Sequence, residues 1–377
     1  MRRVADSPGF ACVTAARGPI RRSLHTPLVA LALAGTCAVS ETAVAQDFRT
    51  IQKAEDPLVL KSRGSFYVAG DQVEQTSVEL GSLGPDDQVT RNQMYVEYMV
   101  PGGQAKVPIV LVHGATLSGK TYDTTPDGRM GWYEYFVRRQ HPVYVVDQIG
   151  RARSGFDQSG FNNVRAGRAA PETQPTLLRL GDHFGSWTNF RIGPEPGQAY
   201  PDTQFPVEAA AELSKQSVPD LLGTSRASNP NWKALSDLAL QLEGAVLLVH
   251  SQSGPYPLES ALIDARGIRG IVMVEPGTCN AAKHTDADIA VLAKTPILIL
   301  FGDQLDTETK LPGPNWQDRF NDCRTFAQRV EAADGDISLM TTTDAGHHGN
   351  SHMLMMDRNN LQIANLILGW IDRRTSR

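Results

Sequence analysis

The chain has 377 residues, of which 41% are hydrophobic and 20% charged, with 33 glycines and 23 prolines. These values are typical of a globular protein and exclude a disordered, collagen-like or coiled-coil chain, while the length allows two or three ordinary domains or one large α/β domain with an insertion. The formal net charge of −5 contains no long run of either sign, so nucleic acid is excluded as a partner.

The first 45 residues have the order of a secretory signal peptide. The pair Arg21-Arg22 precedes an apolar stretch over 28–39, and Ala-Val-Ala follows at 43–45. Basic residues hold the cytoplasmic side, and signal peptidase accepts small side chains. We therefore expect cleavage near Ala45 and a periplasmic or secreted protein; the general secretory and twin-arginine routes both remain open. The apolar stretch is too short to span a bilayer, so no membrane insertion is expected.

Short apolar runs predict the strands of a single sheet. The first two, 57–69 and 92–100, are rich in aromatic and β-branched residues and predict antiparallel strands. The later runs, which are short and continuously apolar, cover 107–112, 143–146, 245–249, 271–274 and 297–301, and a final strand is expected over 337–341. Runs of this kind, separated by segments of helical length, are typical of parallel strands buried on both faces.

Helices are predicted between and after these strands. They cover 132–139, 232–243, 257–265, 316–330 and 359–371. The last of them has enough apolar positions to pack one face against a sheet. The predicted fold class is therefore α/β, with a mostly parallel central sheet flanked by helices.

Residues 155–231 do not follow this alternation. They contain no sheet-like run and are rich in Pro, Gly, Asn and Arg. A segment of this length is too long for a simple connection. We expect an inserted cap there, with a helix near 206–214, inside a single domain that spans 46–377.

The clearest chemical signal is a strand, a turn and a helix around Ser251. The sequence over 247–254 reads Leu-Leu-Val-His-Ser-Gln-Ser-Gly. A tight turn at this place lifts a serine hydroxyl clear of the sheet, and the helix N-terminus favours negative charge that develops there. Small residues normally stand two positions before and after such a serine; Ser253 is one, but Val249 is not. The alternative is a serine that only caps a helix.

This turn resembles the nucleophile elbow of the α/β-hydrolases, Gly-His-Ser-x-Gly-Gly. Two other segments are similar to that family: His-Gly-Ala-Thr at 113–116 to its oxyanion loop, and 145–155 to its Asp-x-x-Gly-x-Gly-x-Ser segment. More narrowly, Val-Glu-Pro-Gly at 274–277 and Gly-Asn-Ser-His-Met at 349–353 resemble a group of secreted bacterial serine esterases. The resemblance implies the α/β-hydrolase fold for most of the mature chain.

The same resemblance implies a catalytic triad in the chain order serine, acid, histidine. Ser251 would attack a carbonyl carbon while His352 takes its proton, and Glu275 would fix the imidazole. The backbone N–H groups of Ala115 and Gln252 would stabilise the oxyanion, at about 3 kcal/mol per donor.

Alternatives remain for the acid and for the base. Asp303 and Asp306 follow the next strand, which is the usual place for the acid in the broader family. Glu275 is preferred because Val-Glu-Pro-Gly resembles the narrower esterase group. His347 follows a glycine, as the catalytic histidine of the broader fold often does, whereas His352 matches the Gly-Asn-Ser-His-Met pattern.

The other histidines receive a structural interpretation. His113 and His250 each precede a key backbone turn and are expected to hold loops by hydrogen bonds. The cluster His347, His348 and His352 lacks a partner carboxylate at ligand spacing, so no metal is expected there. No cofactor is expected either.

Two of the four cysteines are expected to form a disulfide. Cys12 and Cys37 lie in the predicted signal peptide, which leaves Cys279 and Cys323 in the mature chain. Two cysteines in an exported protein are more often bonded than free. We expect their bridge to fix the loop that carries Glu275.

The predicted function is the hydrolysis of a carboxylic ester of a small or medium organic molecule through an acyl-enzyme, with water as the second substrate. An amidase, a lactonase or a thioesterase would use the same triad, and a non-catalytic binding protein could retain the fold. A dehalogenase or epoxide hydrolase is disfavoured, because those enzymes place Asp at the elbow. The substrate's identity, its acyl length and a homodimer are not readable from the sequence.

Overall fold

The computed structural model describes residues 46–182, 184–221 and 229–375. The predicted signal peptide over 1–45 lies outside these residues, and so the structure does not bear on it. Within the described ranges, no helix has both the length and the apolar character that crossing a membrane requires.

The strands and helices lie close to the predicted positions. In chain order the described strands are β1 (Leu60–Gln75), β2 (Asp87–Pro101), β3 (Ile109–Val112), β4 (Val143–Val146), β5 (Leu177–Leu178), β6 (Asp220–Leu221), β7 (Ala245–His250), β8 (Ile268–Val274), β9 (Ile297–Phe301) and β10 (Ile337–Thr341). The described α-helices are α1 (Trp132–Arg138), α2 (Ser159–Arg165), α3 (Ala210–Lys215), α4 (Pro230–Gln241), α5 (Tyr256–Asp264), α6 (Asp286–Leu292), α7 (Trp316–Ala332) and α8 (Asn360–Thr375).

Eight of these strands form one sheet in the order β1-β2-β4-β3-β7-β8-β9-β10. β1 pairs antiparallel with β2, and β2 pairs antiparallel with β4. All further neighbours are parallel. The predicted α/β class with a mostly parallel sheet is thus confirmed. The carboxyl ends of its parallel strands share one edge, where the loops that carry chemistry converge.

The sheet is buried on both faces, which explains the continuous apolar runs. Every residue of β3, β7 and β9 is buried. Leu247 and Val249 of β7 pack into the cluster that includes α4 to α7, and Val246 and Leu248 pack into the opposite cluster with α1 and α8. Each such side chain contributes about 1.5–3 kcal/mol of burial free energy.

The segment over 155–231 adds no strand to the central sheet in its described part. β5 and β6 instead pair with each other as a separate antiparallel ribbon. The helix expected near 206–214 is present as α3, after a 3-10 turn at Val207–Ala209. Neither β5, β6 nor the short helices α2 and α6 were predicted, because two to seven residues are too few to show a period.

The expected disulfide is present in the structure. Cys279 and Cys323 are bonded, with a sequence separation of 44 residues. The bond joins the loop after β8 to helix α7, and both residues are buried. Closing a loop of this length stabilises the fold by about 4 kcal/mol in the chain-entropy description.

Candidate active site

Ser251 lies on the turn that connects β7 to α5. Its φ angle is 60°, a left-handed conformation that a residue other than glycine adopts only where its surroundings impose it. Ser253 imposes it in part: its hydroxyl accepts the N–H of His250 at 3.1 Å and donates to the His250 carbonyl at 2.9 Å. Val249, at the position of the usual glycine, packs into the core below the turn.

Ser251, His352 and Glu275 form one hydrogen-bonded chain. The Nε2 atom of His352 lies 2.9 Å from Ser251 Oγ, and its Nδ1 atom lies 2.8 Å from Glu275 Oε2. A proton on Nδ1 donates to the carboxylate and leaves Nε2 free to accept the serine proton. The arrangement is that of a nucleophile, a base and a group that orients the base.

The parallel sheet explains why three distant residues meet. Ser251 follows β7, Glu275 follows β8, and His352 lies on the loop between β10 and α8. Glu275 also has a positive φ, 51°, which turns the chain at the end of its strand. The three side chains therefore converge at the shared carboxyl edge of the sheet.

The alternative acids and base lie elsewhere. Asp303 accepts the backbone N–H of Gly349 at 3.1 Å and so supports the histidine loop, while Asp306 is exposed. His347, the alternative base, lines a different cavity with Gln204 and Arg358. His348 is exposed, with its Nδ1 atom 3.9 Å from Asp303 Oδ2. The structure brings neither aspartate onto the imidazole of His352.

The imidazole of His352 is completely buried and held from several sides. Its backbone N–H donates to the Phe190 carbonyl at 2.8 Å, and its own carbonyl accepts the Nε2–H of His250 at 3.0 Å. The ring centroid lies 4.2 Å from that of Trp316. His250 is thus a loop-holding histidine as predicted, and so is His113, whose Nε2 accepts the N–H of Gln148 at 3.0 Å.

Arg191, which sequence reasoning missed, binds the other oxygen of Glu275. Its Nη2 atom lies 2.6 Å from Glu275 Oε1, and neither side chain has any solvent exposure. The Nε–H of Arg191 donates to the Asp303 carbonyl at 2.7 Å, and the N–H of Gly302 also donates to Glu275 Oε1. Arg191 belongs to the segment over 155–231 and to no recognisable motif, so no sequence signal could have singled it out.

These contacts determine the protonation states of Glu275 and His352. Burial alone would raise the pKa of Glu275, but the Arg191 charge and the hydrogen bond from His352 outweigh it and lower that pKa to about 2. Burial lowers the pKa of His352, against the opposing effect of Glu275. At neutral pH the site therefore holds an ionised carboxylate and a neutral imidazole, the state that a general base requires.

Ala115 and Gln252 lie beside Ser251 at one cavity. The chain after β3 passes close to Ser251, since a Cβ atom at Gly114 would stand 2.9 Å from the Cβ of Ser251. Within the described part of the chain, neither the Ala115 nor the Gln252 backbone N–H donates to a protein group. Both are therefore available to an oxygen atom of a bound substrate.

Asp220, a second residue that the sequence did not reveal, braces both of these segments. Its Oδ2 atom accepts the N–H of Thr116 at 3.1 Å and the Nε2–H of Gln252 at 3.3 Å. Its Oδ1 atom pairs with Arg151, and both side chains are fully buried. The segment over 155–231 thus supports the region around the expected oxyanion site.

The cavity at Ser251 has a volume of about 520 Å³. Aromatic side chains that line it include Trp232, Tyr256 and Trp316. A volume of this size accommodates a small or medium organic molecule. In the described residues, no group of three or more His, Cys, Asp or Glu side chains is placed to hold a metal ion.

A largely parallel sheet with a strained serine turn at its carboxyl edge is the architecture of an α/β-hydrolase. The solved structure of a bacterial esterase is 45% identical to this chain, with a TM-score of 0.80; the match covers 86% of this chain and 99% of that one. The chain therefore belongs to the α/β-hydrolase family, among its carboxylic ester hydrolases, as the sequence resemblance implied.

A more distant relative is the probable secreted lipase phiG of a fungus. It is 26% identical over 328 residues, which cover 74% of this chain and 86% of that protein. No family model matches the chain. The esterase structure is thus the comparison that establishes the family.

Proposed function

We propose that this protein is an exported serine esterase that cleaves carboxylic esters through an acyl-enzyme. The observation that carries the proposal is the hydrogen-bonded chain from Glu275 through His352 to Ser251 at an open cavity. The high identity to a bacterial esterase supports the same chemistry.

In the acylation step, Ser251 Oγ attacks the ester carbonyl carbon and its proton passes to His352 Nε2. Glu275 stabilises the imidazolium that forms. The oxygen of the tetrahedral intermediate accepts bonds from the N–H groups of Ala115 and Gln252, each worth about 3 kcal/mol. The carbon–oxygen bond to the alcohol then breaks, and His352 donates its proton to the departing alcohol.

In the deacylation step, water attacks the acyl carbon and loses a proton to His352. The bond from the acyl carbon to Ser251 Oγ breaks, and His352 returns the proton to the serine. The acid product leaves, and the enzyme regains its starting state.

Labelling with a fluorophosphonate tests the nucleophile. We expect mass spectrometry to place the adduct on Ser251 and not on Ser253. A folded Ser251→Ala variant should lose about 10⁵–10⁶-fold in kcat, as expected when the nucleophile of a cooperative triad is removed. An adduct on Ser253, or most activity retained in Ser251→Ala, would refute the assignment.

Single substitutions of the three neighbouring histidines test the base. His352→Ala should lose activity about as severely as Ser251→Ala, because the serine then has no proton acceptor. His347→Ala and His348→Ala are the matched controls and should remain active. If His347→Ala loses activity while His352→Ala remains active, the base is His347.

The leaving group is tested with p-nitrophenyl esters of increasing acyl length beside matched anilides, thioesters and lactones. We expect the oxygen esters to give the highest kcat/KM. A higher value for an anilide, thioester or lactone would favour the corresponding alternative enzyme. A folded wild type that neither reacts with the phosphonate nor cleaves any ester would favour a binding protein.

Export is supported by the order of residues over 1–45, by the Cys279–Cys323 bond and by the secreted relative. N-terminal sequencing of the protein from the periplasm or medium should begin near Gln46. A full-length protein that stays in the cytoplasm would contradict this part of the proposal.

A further inference from the structure

The charged side chains that line the cavity at Ser251 are both cations, Lys283 and Arg319, and no described carboxylate lines it. Lys283 already has a counter-ion, since its Nζ atom pairs with Glu259. Arg319 forms no ion pair with a described carboxylate. The cavity is therefore lined by one cation, Arg319, that no described carboxylate contacts; the carboxylate whose charge acts on it, Asp318, is exposed and does not line the cavity.

The guanidinium of Arg319 is only partly satisfied. It donates from Nη1 to the Gly277 carbonyl and lies over the Trp316 ring, 5.1 Å from the ring centroid. Its Nε atom is buried without a hydrogen-bond partner. The side chain is partly buried, so an anion that reached it from the cavity would offset the cost of that burial.

Arg319 is also close to the reacting atoms. The N–H of Gly277 donates to the Ser251 carbonyl at 2.8 Å, and the carbonyl of the same glycine accepts a hydrogen bond from Arg319. Gly277 therefore links the backbone of Ser251 to the guanidinium. The Trp316 ring beneath Arg319 contacts the His352 ring on the same side of the cavity. An anion that pairs with Arg319 would lie within one small molecule's length of Ser251.

We propose that the substrate is an ester that also carries a carboxylate, such as the monoester of a dicarboxylic acid, and that Arg319 binds this carboxylate. An arginine presents N–H donors in a planar fork that matches a carboxylate. Trp232, Tyr256 and Trp316 would cover the apolar part that joins the two ends. This inference rests on the proposed function, because the ester carbonyl must lie at Ser251.

The test compares mono-p-nitrophenyl glutarate with p-nitrophenyl pentanoate, which have the same acyl length and leaving group and differ in one charge. We expect the wild type to show about 10–100-fold higher kcat/KM for the charged ester, mainly through KM, as a charged hydrogen bond provides. High salt should reduce this preference.

Arg319→Gln removes the charge and keeps an N–H donor for the Gly277 carbonyl. It should lower kcat/KM for the charged ester about 10–100-fold and change that for the neutral ester less than about threefold. Arg324→Gln, an exposed arginine of the same helix α7, is the matched control and should change neither.

Equal rates for the two esters in the wild type, or equal losses for both in folded Arg319→Gln, would refute the inference and leave the esterase assignment intact. If Arg319→Gln does not fold, the wild-type preference and its salt dependence decide. Failure of the proposed function is distinct: the wild type would then cleave neither ester and form no phosphonate adduct on Ser251.

Discussion

Two buried arginine–carboxylate pairs join the segment over 155–231 to the rest of the chain, and they support different parts of the site. In one, this segment supplies Arg191 and the end of β8 supplies Glu275; in the other, the segment supplies Asp220 and the loop after β4 supplies Arg151. All four side chains have no solvent exposure. Such pairs add little net stability, but removal of one partner leaves a buried charge and costs about 3–5 kcal/mol.

The two pairs differ in which other groups hydrogen-bond to the carboxylate. Glu275 also binds the imidazole of His352, so its pair affects the charge and tautomer of the base. Asp220 also binds the Thr116 N–H and the Gln252 side chain, so its pair affects the position of the neighbouring backbone. We therefore expect the first pair to affect proton transfer and the second to affect geometry alone.

Among the residues of the two pairs, the largest effect on activity is expected for Glu275→Gln. A glutamine cannot stabilise the imidazolium, so kcat should fall about 10³–10⁴-fold. The measurement is ester hydrolysis by variants whose circular dichroism matches that of the wild type. Asp306→Asn, which changes an exposed acid after the next strand, is the control. If Glu275→Gln keeps nearly full esterase activity while Asp306→Asn loses most of it, Asp306 and not Glu275 is the acid.

The next largest effect is expected for Arg191→Gln. The loss of its charge should lower the free energy of unfolding by about 3–5 kcal/mol and, because Glu275 loses its support, lower kcat up to about 100-fold. Urea titration and kinetics measure the two effects. Arg358→Gln breaks a surface pair with Glu208 and should cost about 0–1 kcal/mol. Equal effects of the two variants would contradict the assigned importance of Arg191.

Asp220→Asn should affect stability about as much as Arg191→Gln but affect kcat less, about tenfold or below. The carboxylate that braces Thr116 and Gln252 becomes a neutral amide, while the chain from Ser251 to His352 stays intact. The same urea and kinetic measurements apply. A loss in kcat larger than that of Arg191→Gln would reverse the comparison.

The smallest expected effect is a shift in the pH dependence of kcat/KM. Burial lowers the pKa of His352, so the acidic limb of the wild type should have its midpoint below 6.5, the usual pKa of histidine. Arg191 also lowers the His352 pKa through its positive charge, so Arg191→Gln should move the limb to higher pH. Asp220→Asn should leave the limb in place. A shift to lower pH in Arg191→Gln would contradict the electrostatic role.

The sequence predicted strands, and indicated candidate site residues, where burial or a motif imposes a pattern on the residues. The runs that became β3, β4, β7, β8 and β9 were predictable because strands covered on both faces must be apolar throughout. The serine turn and the two short patterns that resemble an esterase group indicated three residues that the structure brings into contact. Their catalytic roles remain predictions until the variants are measured.

For the segment over 155–231, the sequence predicted little beyond its length. Arg191 and Asp220 are single polar residues whose importance comes from contacts with residues 84 and 104 positions away in the chain. No local period or motif marks such a contact. The parts of β1 and β2 outside the runs 57–69 and 92–100 were not predicted for a related reason. Their residues are largely exposed and show no apolar alternation.

The contact between Arg191 and Glu275 also restricts how this enzyme can move. An opening motion that moved Arg191 away would leave the buried carboxylate of Glu275 without its charge partner, at a cost of about 3–5 kcal/mol. At about 1.4 kcal/mol per tenfold change, the open form would account for about one molecule in 10²–10⁴. Substrate entry is therefore expected to leave this contact in place, and any gating motion must involve other residues around the cavity.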